Sequence, residues 1–251
     1  MAERGTAAAS LPDVMVLGCG RSGTSIFGEL FDHLPRYSYV SEPPFSDVMA
    51  ARGPGPAAFK VPRESDGFPP TPGLSFPLDS FLRAKPNATL FWIVRHPLDA
   101  ICSLRIGIAK SWGHHPRPPD WRDWLHRPLL ERCAHHWTYI NAQGFGHVED
   151  RATLVRFEDM IADPAAFAES VCRAVGLPLA EAAEAVAAWS GRVQDTNNER
   201  FVEAKTSRGY SRPDHAVRVG RWRENLTPEE AGAVWRMVGD TAERFGYRFT
   251  V

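Results

Sequence analysis

The segment 14–25, VMVLGCGRSGTS, constrains the fold most, because an apolar run typical of a buried strand stops at a glycine-rich turn and a helical pattern follows at once. The backbone amides of such a turn, together with the positive end of the following helix, form an anion site. Aligned on the G-x-x-x-x-G-K-[ST] pattern of ATP-binding loops, the glycines are Gly18 and Gly23, but Thr24 stands in the lysine position and Ser25 follows it. The sequence therefore predicts a loop that holds an oxyanion and is not built for ATP with magnesium.

Strand and helix patterns alternate along the chain, which is the order expected of a parallel sheet covered on both faces. Strand patterns lie at 14–17, 58–61, 89–94 and 153–156, and helical patterns at 23–34, 98–110, 121–142, 164–175 and 179–189. A final helix runs from Thr227, as N-cap with Glu230 in a capping box, through Phe245. We expect one α/β domain over 1–251, P-loop-like, with a central parallel β-sheet flanked by helices on both faces and a disordered tail at 1–12.

Two segments follow neither periodicity. The first, 43–77, is rich in proline and glycine and is interrupted only by a short strand around Phe59, and the second, 192–217, is polar and mixed in charge. Long loops of this kind are usually functional lids or mobile connections. We expect both segments to shape a substrate pocket.

Composition excludes several functions. The net charge of −1 and the pI near 6.8 provide no global field for nucleic acid or an anionic membrane. The longest apolar stretch, 90–94, is too short to cross a bilayer, and the amino terminus lacks the apolar run of a signal peptide. The four cysteines form no C-x-x-C pair, so neither a zinc site nor a disulfide framework is indicated. We expect a soluble cytoplasmic protein.

Histidine and tryptophan clusters in the middle of the chain are interpreted as structural. The adjacent pairs at 114–115 and 135–136 point in different directions on a helix and are poorly placed for joint metal ligation. The tryptophans at 112, 121, 124 and 137 are assigned to the core, with a wall of the substrate pocket as the alternative.

Two further basic groups point to anion binding. The apolar run 89–94 ends at Arg95, at the carboxyl end of a strand where sheets of this class bind ligands, and a helix carrying Ser103 follows. The segment 218–223, RVGRWR, places three arginines around a glycine, and guanidinium groups bind phosphate through paired donors. Either group taken alone is better explained as a solvated surface, and only their combination with the first loop favours anion binding.

Together the three pieces resemble the sulfotransferases that use 3′-phosphoadenosine 5′-phosphosulfate (PAPS), in order and spacing over about residues 13 to 225. Local phrases similar to the carbohydrate-directed and bacterial branches are RSGTS, SEP at 41–43, FKVP at 59–62 and VRFED at 155–159. The resemblance implies that the first loop holds the 5′-phosphosulfate, the arginine and serine hold the 3′-phosphate, and the late basic segment closes over the nucleotide. It assigns PAPS binding to Gly20, Arg21, Ser22, Gly23, Thr24, Ser25, Arg95, Ser103, Gly220, Arg221, Trp222 and Arg223.

The resemblance also implies in-line transfer of a sulfuryl group, in which the protein mainly positions the reactants and stabilises charge. We assign Glu42 as the general base, with His33, His114 and His115 as alternatives. Lys60 is the second cation for the sulfuryl oxygens. Arg21 replaces the lysine of many family members; it keeps the charge, but its high pKa makes it a poor proton donor. We predict no metal requirement, with adenosine 3′,5′-bisphosphate (PAP) as the product.

The acceptor cannot be read from the residues; we expect a hydroxyl on a carbohydrate or other small molecule. Two other functions stay open. A P-loop kinase or NTPase shares the first loop but needs the lysine that Thr24 displaces, and Asp99 and Glu158 are poor candidates for its metal-binding acid. A non-catalytic nucleotide-binding protein would keep the anion contacts and lack the base.

Overall fold

Five parallel strands form the central sheet of the computed structural model, which describes residues 10–51, 53, 55–193 and 217–250. They are β1 (Val14–Gly18), β2 (Ser38–Ser41), β3 (Ala57–Lys60), β4 (Thr89–Val94) and β5 (Ala152–Arg156), in the order β2-β3-β1-β4-β5. Val14 of β1 lies opposite Ala58 on one side and Thr89 on the other. Because all pairs are parallel, the residues that follow each strand meet at one edge of the sheet.

Helices connect the strands and cover the sheet. They are α1 (Thr24–His33), α2 (Phe45–Ala50), α3 (Leu78–Ala84), α4 (Pro97–Ala109), α5 (Leu129–Tyr139, continued by a π-helical turn at Ile140–Gly144), α6 (Phe157–Ala162), α7 (Pro164–Val175), α8 (Leu179–Ser190), α9 (Trp222–Asn225) and α10 (Pro228–Arg244).

Strand β4 shows why both faces are covered. Leu90, Trp92 and Val94 belong to the hydrophobic core on one face, and Phe91 and Ile93 to the core on the other. All five side chains are buried, which explains why this central strand reads as a continuous apolar run. The prediction of a parallel α/β sheet flanked on both faces is confirmed.

Three local predictions differ from the structure. β2 was not among the predicted strands, because its sequence, SYVS, is polar and lies at an exposed sheet edge. The helix predicted over 121–142 begins only at Leu129, since turns occupy the residues before Pro128. The segment 43–77 is less irregular than expected, because it contains α2.

Other predictions are confirmed or fall outside the described residues. The capping box of α10 is present, with Thr227 and Glu230 each accepting a hydrogen bond from the backbone amide of the other. Trp112 and Trp137 are fully buried, whereas Trp121 and Trp124 are half-buried against the core. Most of the predicted tail at 1–12 and of the loop at 192–217 lies outside the described residues. Within the described part of the chain, no helix is both long and apolar enough to span a bilayer.

Candidate active site

The loop between β1 and α1 forms a cradle of backbone amides. It closes with a hydrogen bond of 3.1 Å from the Ser22 amide to the Cys19 carbonyl oxygen. Gly23, the N-cap of α1, has a φ of +96°, and a Cβ there would lie 2.4 Å from the Phe157 ring, so only glycine fits. The first amides of α1 have no acceptor within the helix and are available to an anion. Arg21 also has a left-handed backbone, with φ at +68°.

Glu42 and Lys60 meet at the carboxyl ends of β2 and β3. The Lys60 ammonium donates to Glu42 Oε1 at 2.5 Å and to Ser25 Oγ, at the start of α1, at 3.1 Å. The Lys60 side chain is only 5% exposed, whereas that of Glu42 is 55% exposed. Glu42 has a φ of +51°, and its carbonyl oxygen accepts from Arg63 Nε at 2.7 Å. Lys60 therefore connects the anion loop to a carboxylate that solvent can reach.

Arg95 and Ser103, on the β4–α4 connection and α4, lie against the same loop. Arg95 Nη1 donates to the Arg21 carbonyl oxygen at 3.1 Å, and Arg21 Nε donates to Ser103 Oγ at 3.4 Å. The Arg95 guanidinium also lies 4.3 Å from the centre of the Phe157 ring. The residues predicted to hold two different phosphates are thus brought together within one crevice.

The late basic segment reaches this crevice from the opposite end of the sequence. Arg95 Nη2 donates to the Arg218 carbonyl oxygen at 2.5 Å. Trp222 stacks on His96, with ring centres 6.1 Å apart, and the Arg223 guanidinium lies 4.5 Å from the Trp222 ring. Gly220 adopts a φ of +77°, which favours glycine at this turn.

Positive charge dominates the buried part of the site. Among the described residues the buried charged side chains are Lys60, Arg95, Arg218, Arg221 and one carboxylate, Asp99. Burial, and next the charge of Arg95, lower the pKa of Arg221 to about 10. A surplus of buried cations over buried carboxylates favours an anionic ligand.

The three histidines predicted as alternative bases differ in their position relative to the first loop. His114 lies at the loop, with Nδ1 3.3 Å from where a Cβ on Gly20 would sit. Burial, and next the charge of Arg21, lower the pKa of His114 to about 4, so its imidazole is neutral near pH 7. His115 faces the Glu64 carboxylate instead, at 3.7 Å. His33 is a correction: it ends α1, about 15 Å along the helix from the loop.

Asp99, to which the sequence analysis gave no role in the site, contacts the late basic segment. Asp99 Oδ1 and Oδ2 accept hydrogen bonds from the Trp222 and Gly220 amides at 2.9 and 2.7 Å. An acid in the first turn of a helix is common, so the position of Asp99 in the sequence did not mark it as functional.

Across the described ranges, no group of three or more His, Cys, Asp or Glu side chains is arranged to hold a metal ion.

Comparison with solved structures identifies the fold. Mouse sulfotransferase SULT7A1 complexed with PAP has a TM-score of 0.59 at 16% identity, covering 92% of this chain and 83% of that one. Retinol dehydratase in complex with androsterone and inactive cofactor PAP has a TM-score of 0.56 at 17% identity, over 94% and 82% of the two chains. Sulfotransferase STF9 from Mycobacterium avium has a TM-score of 0.54 at 14% identity, over 97% and 79%.

Sequence comparison supplies the family. No curated protein sequence matches the chain. A model of the "Sulfotransferase family" matches residues 48–181, which is just over half of the 251 residues and includes β3 through the start of α8. Arg95 and Ser103 lie within the matched residues, whereas the first loop and the late basic segment lie outside them. On the strength of this match, the chain belongs to the sulfotransferase family.

Proposed function

We propose that the protein transfers a sulfuryl group from PAPS to a hydroxyl of a small-molecule or carbohydrate acceptor. The observation that carries the proposal is the convergence of Arg95 and Ser103 on Arg21 of the first loop, with Lys60 bound to Ser25 at the start of α1. PAPS carries negative charge at both its 3′ and its 5′ positions, so it matches a site with cations on both sides of the loop.

Unsatisfied donors in the site support the same ligand class. Ser22 Oγ and Arg95 Nε are buried and have no hydrogen-bond partner within the described residues. Buried polar groups are normally paired, so each favours a ligand atom that completes it. The PAP in the solved structures of SULT7A1 and retinol dehydratase is the nucleotide product of such a donor. We therefore propose that Gly20–Ser25, Arg95, Ser103 and 220–223 hold PAPS.

Each reacting group has a candidate residue. PAPS supplies an activated sulfuryl group, and in-line transfer needs an acceptor oxygen held opposite the leaving phosphate. Glu42 is proposed to take the acceptor proton, since its carboxylate is 55% exposed and can be reached by a hydroxyl group from solvent. Lys60 and Arg21 are proposed to stabilise the sulfuryl oxygens. Because the buried cations supply the positive charge, we propose that turnover needs no metal ion and is unaffected by EDTA.

The acceptor class and cellular setting are also proposals. Retinol dehydratase has been crystallised with androsterone and with retinol, and these complexes support a small-molecule acceptor. All four cysteines are buried free thiols, which fits a reducing compartment such as a bacterial cytoplasm. We further propose that the chain forms a single sulfotransferase domain.

Calorimetric titration tests donor binding against the kinase alternative. We expect PAP to bind without metal and more tightly than ATP with magnesium. Arg95→Ala should weaken PAP binding at least tenfold, because it removes a buried guanidinium that contacts the loop, whereas Arg83→Ala, at an exposed arginine of α3, should not. A preference for ATP with magnesium would refute the proposal. PAP binding without turnover of PAPS on any hydroxyl acceptor would indicate a non-catalytic binding protein.

A further inference from the structure

Asp99 is the one buried carboxylate among the described residues of the site, and each of its oxygens is occupied. The side chain lies in the first turn of α4 with 0% of its surface exposed. Oδ2 accepts from the Gly220 amide at 2.7 Å, and Oδ1 accepts from the Trp222 amide at 2.9 Å. A negative charge placed inside an anion site opposes ligand binding unless it has another role.

The geometry of these two bonds indicates that role. Gly220 and Trp222 are two residues apart, and the left-handed conformation of Gly220 lets their amides converge on one carboxylate. Converging amides of this kind are a backbone anion site. Asp99 fills it from within the protein, so the backbone at Gly220 and Trp222 is fixed by two hydrogen bonds.

A third hydrogen bond adds to the attachment of the segment 218–223 to the start of α4. Arg95, on the β4–α4 connection, donates to the Arg218 carbonyl oxygen, so Arg95 and Asp99 together bind three backbone groups at alternate residues of 218–222. That connection also leads to Ser103. The late segment is therefore held against Arg95 and Asp99 through its backbone groups.

Opposing effects act on the pKa of the Asp99 carboxyl. Burial raises the pKa of the Asp99 carboxyl, whereas Arg95, the two amides and Arg221 oppose that rise. Only the ionised carboxylate can accept both amides without a competing O–H donor.

We propose that Asp99 is a positioning residue, which holds the backbone of Gly220–Arg223 in the conformation that binds the donor nucleotide. The inference rests on the proposed function for the identity of the ligand. The attachment itself is a property of the free protein and is measured separately.

The test uses Asp99→Asn in the full chain, with Asp79→Asn, at the exposed first-turn acid of α3, as the matched control. The NH2 group of the asparagine side chain cannot accept a hydrogen bond, so one of the two backbone bonds is lost at nearly constant volume. A hydrogen bond to a charged group corresponds to about a ten- to hundred-fold change in affinity. We expect PAP affinity to fall by that factor and the KM for PAPS to rise by it, with kcat at saturating donor changed less than about threefold. The control should leave all three unchanged.

Amide hydrogen exchange without ligand reports the attachment directly. Trp222 is the first residue of α9, where the amide has no acceptor within the helix, so its protection depends on Asp99. We expect the Gly220 and Trp222 amides to be protected in the wild type and to exchange at least tenfold faster in Asp99→Asn.

Three results separate the possible failures. PAP affinity within twofold of wild type in folded Asp99→Asn overturns the positioning role. If the variant does not fold, unprotected Gly220 and Trp222 amides in the wild type overturn it equally. If these amides are protected but the wild type binds no PAP, the attachment stands and the donor proposal fails.

Discussion

Replacing Glu42 by glutamine separates its proposed role as general base from its contact with Lys60. The carboxylate oxygen lies 2.5 Å from the Lys60 ammonium, and the amide oxygen of glutamine can still accept that bond. What the substitution removes is the negative charge and the capacity to take a proton. The two consequences differ in size and are measured by different assays.

The stability cost of Glu42→Gln should be small. Lys60 is 5% exposed and loses its charged partner, but the Glu42 side chain is 55% exposed, so solvent already screens much of the attraction. We expect a loss of about 1–2 kcal/mol in the free energy of unfolding, between the values for exposed and buried pairs. Urea unfolding followed by circular dichroism measures this quantity.

The catalytic cost should be larger. Loss of a general base lowers kcat by about 10²- to 10⁴-fold, which corresponds to about 3–5 kcal/mol of transition-state stabilisation. PAP affinity should be equal or higher, because a negative charge next to the anion loop has been removed. Steady-state turnover of PAPS gives kcat, and calorimetry gives the dissociation constant of PAP.

The control is Glu64→Gln, at an acid of similar exposure (51% against 55%) that contacts His115. It should leave kcat within about threefold of wild type. Unchanged turnover in Glu42→Gln would refute the assignment of the base and direct attention to His114. A large loss of PAP affinity with an unchanged kcat would instead make Glu42 part of the donor site.

Two further predictions concern the loop and two partly buried histidines, His96 and His114. Gly23→Ala should lower the free energy of unfolding by about 3 kcal/mol and weaken PAP binding, because φ is +96° and the new Cβ would lie 2.4 Å from an aromatic ring; Gly146→Ala, with nothing within 4 Å, should be nearly neutral, and equal stabilities would contradict this account. Burial lowers the pKa of both His96 and His114 to about 4, below the unfolded value near 6.5, so the unfolded state binds protons first as the pH falls. Stability should therefore drop by about 2 kcal/mol for each histidine between pH 6.5 and pH 5, measured by urea unfolding at both pH values. His96→Phe should remove the part of this pH dependence that comes from His96, whereas His126→Phe, at an exposed histidine, should leave the pH dependence unchanged. An identical pH dependence in both variants would disprove the contribution of His96.

The first loop and the sheet were predictable from the sequence because their signals are local. An apolar run, a glycine turn and a helical pattern adjoin in 14–25, and β4 reads as a strand because both of its faces are buried. The capping box at Thr227 and Glu230 lies within four residues. In contrast, β2 carries no strand signal, because an exposed edge strand buries too little to impose a hydrophobic pattern.

The arrangement of the site required the tertiary structure. Arg95, Lys60 and the segment 218–223 are far apart in sequence, and only the parallel register brings the strand ends together. Burial of their charges and the contact of Glu42 with Lys60 follow from that register. Asp99 contacts residues 121 and 123 positions away, so no local pattern marks it. The sequence alone thus determined the sheet, the anion loop and the types of the site residues, whereas packing over long sequence separations decided which of them meet and which carry buried charge.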